Sequence, residues 1–281
     1  MRLTVRFDVD TWSCAHRGMP FLMDFAQRLE AEFCFMVNMG RAVSRGLHLR
    51  KLVRSSSPAN VSEERVDKLG SMQRMGVSGY LRTALLNPEV GLTAGAILQR
   101  AGREGHVLGL HGGRNHGEWQ WGAQNWSGER LRDEVLWGLR AFERVGLEHP
   151  RRFSSPGWNS PSGLPAVLAQ CGFEELHDRH EPGIPIDTVA SGGILREINT
   201  AFAGEPGGVG YFESCLVRGV DAASAAERIV SKLRSGPAAH AVVYDHPVFC
   251  AGIGRDLFCS TLLALRERGV GLIGYASGKP A

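Results

Sequence analysis

MRLTVRFDVDTWSCAHRGMPFLMDFAQRLEAEFCFMVN, residues 1–38, decides the fold. Leu3 to Phe7 is a short β-type run, and DVDTW follows it at once. Pro20 is placed to open a helix, and Phe21, Phe25 and Leu29 continue at helical spacing towards Glu32. Phe33 to Asn38 then reads as a second strand. Strand, helix and strand in so few residues imply parallel strands joined by a right-handed crossover. Asp8 and Asp10 are two apart, so extended geometry sends both carboxylates to one side at the strand's carboxyl end. Strand ends are where α/β proteins do chemistry.

The next informative stretch is EGHVLGLHGGRNHGEWQW, Glu104 to Trp121. Val107, Leu108 and Leu110 suit a buried parallel strand that delivers His111 at its end. Five helical residues turn through about 500°, so His111 and His116 can share an ion only across a loop. Gly112 and Gly113 permit one. Elsewhere the spacing predicts helices over Ala94–Glu104, Gly128–Val145, Gly163–Cys171, Asp221–Arg234 with Asp221 as cap, and Gly254–Arg268. Strands are expected at Phe153–Ser155, near Ile186 and Ile194, at Ala241–Tyr244 running into DHP, and at Gly271–Tyr275. HDRHEPG opens a weak stretch that the spacing does not assign, and the glycine-rich Gly204–Gly210 reads as a loop. Roughly seven strand-helix units make an α/β chain, and polar residues at the ends of widely separated strands favour a barrel over an open doubly wound sheet. No dinucleotide or P-loop fingerprint is present. Residues 40–91 break the rhythm and read as an insertion into a single domain spanning 1–281. It holds a basic run, an SSSPANVSEE loop, and MQRMGVSGYLRTALLNPEVG, whose Met and Leu positions suit packing onto the barrel, with a lid or membrane-facing element as the alternative.

With 281 residues, 43% hydrophobic and 22% charged, the chain can bury a sizeable core. A net charge of +3 with no nucleic-acid motif gives no reason to expect a nucleic-acid partner. The six cysteines are scattered without a C-x-x-C, which fits reduced packing thiols. No window is apolar enough to span a membrane, and the start lacks a signal pattern, so a cytoplasmic protein is expected, with peripheral contact at the inner face of the membrane left open. The oligomeric state is not legible.

Three strand ends supply Asp8 and Asp10, His111 and His116, and Asp245 and His246, and a barrel would gather them on one face. Two histidines and a carboxylate with an open position are the ligand set of a hydrolytic zinc or related divalent site. The remaining carboxylate and histidine would serve as base and acid. These motifs resemble the NodB-type polysaccharide deacetylases. FDVD (Phe7 to Asp10) is similar to that family's first motif, GHVLGLHGGRNH to its second, SSPGWN (Ser154 to Asn159) to its third and VVYDHP (Val242 to Pro247) to its last. Within the family, RFDVDT, NMGR, GLH followed by WQ, PGW and the insertion resemble the deformylases that act on undecaprenyl-phosphate-linked formamido-arabinose.

The resemblance implies a distorted (β/α)7-8 barrel, Asp8 as catalytic base, Asp10, His111 and His116 as ligands of a divalent metal, with Zn2+ the expected ion and other divalent ions as alternatives, and His246 as general acid, its proton helped by Asp245 or another carboxylate. It also places Gly157, with its backbone N–H, Trp158 and Asp178 around the substrate. The family's H-x-x-x-H is here H-x-x-x-x-H; His116 is taken as the second ligand, with His177 or His180 as the alternative. The arginine that orients the base in many relatives has no counterpart within SSPGW, so Arg151 or Arg152 would have to reach in. The implied activity is removal of an N-formyl or N-acetyl group from an amino sugar, free or linked to a polyprenyl phosphate. The alternatives are an N-deacetylase of a soluble amino sugar or secondary metabolite, a non-catalytic sugar-binding barrel, and a metal-free hydrolase pairing Asp8 with Glu118 or Glu213. Trp119, Trp121, Trp126 and Trp158 could stack on sugar or lipid, or pack as core. The basic run with Arg41, Arg45, Arg50, Lys51 and Arg54 could meet an anionic bilayer or be a solvated face.

Overall fold

Strand β1 (Arg2–Val9) is buried from Leu3 onward on both faces, and its two faces differ in chemistry. Leu3, Val5, Phe7 and Val9 join the large apolar core under the helices. The alternate residues Thr4, Arg6 and Asp8 are also buried but turn the other way, into the barrel interior. The computed structural model describes residues 1–44, 69–180, 186–190, 192–204, 209–235 and 240–275. Most of the basic run, Arg45 to Arg54, and the Ser/Pro stretch of the insertion lie outside the described residues.

The other strands are β2 (Cys34–Val37), β3 (Val107–His111), β4 (Arg152–Ser154), β5 (Glu175–Arg179), β6 (Ile186–Ala190), β7 (Gly193–Asn199), β8 (His240–Asp245) and β9 (Gly271–Leu272). Their order is β6-β7-β5-β4-β3-β2-β1-β8, with β9 paired to the start of β1. All pairings are parallel except the β6–β7 hairpin. Because β6 occupies the outer edge of β7 as far as Glu197, only the chain beyond that hairpin can reach β8. Among the described residues it does so at one bridge, Phe202 to Val243, where Phe202 N–H donates to Val242 and Tyr244 N–H donates to Phe202. The expected distorted (β/α) barrel therefore forms, closed along one thin seam.

The principal helices are α1 (Met19–Arg28), α2 (Ser71–Leu81), α3 (Gly95–Arg103), α4 (His116–Gly122), α5 (Gly128–Arg144), α6 (Leu164–Gln170), α7 (Tyr211–Val217), α8 (Ala222–Ser235) and α9 (Arg255–Glu267). Phe258 of α9 meets Phe7, Phe33 and Phe212 within 6.3 Å between ring centres, joining the outer face of the sheet to α7. The weak stretch after Phe173 holds a strand, for β5 carries Glu175, His177 and Asp178, whose polar side chains find partners indoors. One expectation needs correction: the Met and Leu residues of the insertion's second half mostly do not pack onto the barrel. Within Ser71–Leu86, Gly79 and Thr83 are the buried positions, while Met72, Val77, Leu81, Leu85 and Leu86 are exposed. Gly79 lies so close to Ser13 that an added Cβ would come 2.5 Å from its Oγ, so close backbone approach rather than a greasy contact seats this arm. No helix among the described residues is long and apolar enough to cross a membrane.

Candidate metal and catalytic site

The carboxyl ends of β1, β3 and β8 bring four of the sequence's candidates together. Asp10 Oδ1 lies 3.3 Å from His111 Nε2 and 3.4 Å from His116 Nε2. On its other oxygen, Asp10 Oδ2 is 3.3 Å from His246 Nε2. One ligand atom from each of Asp10, His111 and His116 falls within 4.8 Å of the others, a grouping that excludes His177 and His180. His177 is instead fully buried between Tyr275 Oη at 2.9 Å and Glu175 at 3.0 Å, and His180 lies against Trp158 with ring centres 3.7 Å apart.

The five-residue spacing works because the loop ends in a helix start. Gly112 turns with φ +79°, and a Cβ there would sit 2.5 Å from Pro156. Arg114 is held by Glu134 through its backbone N–H at 2.7 Å and its guanidinium at 3.0 Å. Asn115 then caps α4 by accepting from Glu118 N–H at 3.0 Å, and His116 is the first residue of that helix. His111 Nδ1 is 2.7 Å from Ser154 Oγ, which fixes the ring and leaves Nε2 facing Asp10. Orientation of a ligand histidine through its other nitrogen is the usual support of a metal site.

Donor chemistry fits a divalent cation. Asp10 Oδ1 and His116 Nε2 are buried yet make no hydrogen bond. Leaving such groups unsatisfied costs about 1–3 kcal/mol each, which a shared cation would offset. Burial works to raise the Asp10 pKa, but the charge of His116 and contacts with His111, His116 and His246 hold it well below the usual carboxylate range. Burial works to lower His111, and Asp8 and Asp10 outweigh it, so its pKa is raised. His246 follows the same pattern, burial opposing and Asp10 raising it.

Asp8 sits beside this cluster, with Oδ2 3.8 Å from His111 Nε2. Its carboxylate is gripped by Arg6, whose Nε reaches Oδ1 at 3.0 Å and whose Nη2 reaches Oδ1 at 2.9 Å and Oδ2 at 2.8 Å. Neither Arg151 nor Arg152 plays that part, for they pair with Glu174 and Glu175 on β5 and just before it. The sequence did carry a signal for Arg6: a lone cation two residues before Asp8 in an apolar strand must share its face. Arg6 is wholly buried, lies over the rings of Trp158 at 4.7 Å and Tyr244 at 5.2 Å, and donates through Nη1 to the His177 carbonyl.

Of the carboxylates open to His246, its side-chain contact is Asp10 and not Asp245. Asp245 and His246 are adjacent in an extended segment and so point to opposite sides. Asp245 turns outward, where its oxygens accept from Phe212, Glu213 and His246 backbone N–H groups at 2.7–3.1 Å. Burial raises its pKa to about 6. The side-chain neighbours of His246 are Asp10 and Tyr244, whose hydroxyl is 3.0 Å from Nε2. Sequence reading missed Tyr244 and Ser154, although Tyr244 stands two before His246.

Around the mouth, Gly157 takes φ +60°, Trp158 is half-buried, and Asp178 Oδ1 accepts from Ser155 N–H at 2.8 Å, fixing the SSPGW turn. Trp119 is fully buried, with its indole N–H bonded to Asn159, and cannot stack on a ligand. Glu118 is occupied by Ser44 and Arg130, and Glu213 by Leu69 N–H and Arg74, so neither carboxylate pairs with Asp8.

No protein-family model matches the sequence. Over 183 residues, 63% of this chain and 56% of the relative, it is 29% identical to a Shewanella sediminis (strain HAW-EB3) protein provisionally named 4-deoxy-4-formamido-L-arabinose-phosphoundecaprenol deformylase ArnD. The match thus spans little more than half of that relative. A Mycobacterium smegmatis structure, provisionally assigned as a polysaccharide deacetylase, superposes with TM-score 0.60 at 17% identity, covering 97% of this chain and 87% of the other. The family 4 carbohydrate esterase from Streptomyces lividans, solved with acetate, does so with TM-score 0.51 at 10% identity, covering 96% and 90%. At such identities the structural likeness is one of fold.

Proposed function

Because the motifs and the fold are of the NodB polysaccharide-deacetylase type, near the ArnD branch, we propose that this protein is a metal-dependent amide hydrolase that removes an N-formyl or N-acetyl group from an amino sugar. A formamido sugar carried on a polyprenyl phosphate is the favoured substrate. The observation that carries this reading is the convergence of Asp10, His111 and His116 on one buried point, with Asp8 and His246 flanking it. Asp10, His111 and His116 would hold a divalent cation, zinc by donor type, which supplies Lewis-acid polarisation and makes water acidic near neutral pH.

The protein's own groups then divide the work. Asp8, held by Arg6, accepts a proton from the water whose oxygen bonds to the amide carbon. Gly157 N–H serves the carbonyl oxygen as it gains negative charge. As the carbon–nitrogen bond breaks, His246 gives its proton to the departing nitrogen, yielding formate or acetate and the free amine. Asp10 favours the protonated form of His246, and Tyr244 fixes the ring. Trp158 and Asp178 shape the sugar side of the mouth. The test is metal analysis of the purified protein with formate and acetate release measured from matched amides. Chelator-sensitive release of either acid supports the reading, and the acid released identifies the acyl group. A metal-loaded protein that releases neither would favour a sugar-binding barrel.

A further inference from the structure

The arm formed by α2 and the π-helical turn Arg82–Leu86 is amphipathic with its apolar side outward. Val77, Leu81 and Leu85 recur every four residues along one side and are 60%, 47% and 66% exposed. Leu86 extends this surface at 63%, and Met72, 51% exposed, lies on the other side of a kink at Gly76, where φ is +71°. Small or polar groups face inward: Gly79 lies against Ser13, and Thr83 is buried. A helix that only covered a barrel would be turned the other way round. An exposed apolar stripe of this kind marks a contact surface.

The charges beside the stripe select its partner. Ser71 to Leu86 contains no acidic residue. Arg17 reaches Ser78 on the arm, Arg82 lies over Trp12 at 4.1 Å, Arg41 bonds to the Asn87 carbonyl just beyond it, and Arg74 is anchored by the buried Glu213. Two copies joined through this face would set cations against cations, whereas an anionic lipid surface offers both apolar depth and opposite charge.

We infer that the outward face of residues 77–86 docks on an anionic lipid surface, with Val77, Leu81, Leu85 and Leu86 entering the acyl boundary and Arg17, Arg41 and Arg82 meeting headgroup phosphates. The arm also orients the site. Trp12 and Ser13, which it touches, stand two and three residues after Asp10, so the docked face would set the mouth beside the membrane. This inference deepens the lipid-linked reading of the substrate, but its test uses no substrate, so the two can fail separately.

The experiment is flotation of the full chain with phosphatidylcholine vesicles and with mixed phosphatidylcholine–phosphatidylglycerol vesicles, across a salt series. The unaltered protein should float with the anionic vesicles in a salt-sensitive manner. Val77→Ser with Leu81→Ser and Leu85→Ser should weaken that binding about ten-fold or more, with the thermal transition retained. Arg82→Gln should weaken it roughly five-fold and flatten its salt dependence, about the effect of one basic residue near an anionic surface. Absence of flotation in the unaltered protein, or equal flotation of the triple variant, would overturn the inference. So would a dimer in solution that the triple variant dissociates, because the stripe would then be a contact between copies.

Discussion

Replacing Arg6 with Met tests whether the barrel interior is built around one ion pair. The substitution removes three hydrogen bonds to Asp8, of 2.8–3.0 Å, and the contacts with the His177 carbonyl and Thr200. Both partners are out of solvent, with side chains 0% and 4% exposed, so screening does not soften the loss. Breaking a buried pair on one side costs about 3–5 kcal/mol, mainly because the surviving charge is stranded. A double-mutant cycle with Asp8→Asn separates pair from packing. Each single change should destabilise, and the double variant should be less damaged than their sum by about 2 kcal/mol or more. Urea denaturation of the four proteins, at constant metal loading, measures this. Additivity within about 0.5 kcal/mol would refute the reasoning, since it would show that Arg6 acts on the fold without acting through Asp8. Turnover of Arg6→Met should also fall while bound metal stays, because the base would lose its fixed orientation.

Metal analysis should separate the other site residues. Asp8→Asn should retain metal and lose turnover, whereas Asp10→Asn, His111→Ala and His116→Ala should lose both; normal turnover in Asp8→Asn would remove the base assignment. His246→Ala should likewise keep metal and lose activity, and a matching loss of metal would make it a ligand instead. His177 gives a pH prediction. Burial holds its pKa down to about 4 in the folded protein. The unfolded chain therefore takes up a proton below about 6.5 that the folded chain refuses, and stability falls as pH drops from there towards 4, by about 3 kcal/mol for this group. Denaturation midpoints across that window should flatten in His177→Gln, and an unchanged slope would assign the acid sensitivity elsewhere.

The parts of the fold that were legible in sequence are those whose information is local. Leu3–Phe7 alternates with polar residues, the β3 run is short and apolar, and Asp221 caps α8 through Ser224 N–H at 2.7 Å, as a local turn signal predicts. What escaped was decided by distant partners. β5 reads as ELHDR, too polar for a buried strand until Tyr275 and Arg152 are seen to receive His177 and Glu175. α7 is only seven residues long, and its first N–H groups are satisfied by Asp245 from β8. The site was legible in its residue types and order, because alternation fixes which carboxylates share a face. The same alternation puts Arg6 beside Asp8, but the contacts of Ser154 and Tyr244 were not legible, since those residues acquire their roles only when separate strands meet.

The seam beside Phe202 has a dynamic consequence. Elsewhere each wall of the cylinder is a ladder, but here two backbone hydrogen bonds, of 3.1 and 2.9 Å, join the segment after β7 to β8. A wall fastened at one rung can breathe locally without the protein unfolding as a whole. His246 lies two residues beyond Tyr244, so each opening would loosen the group that faces Asp10 and briefly widen the pocket. Amide exchange should record this as faster deuteration at Phe202 and Tyr244 than at Val5 and Phe7, which sit in the middle of the β1 ladders.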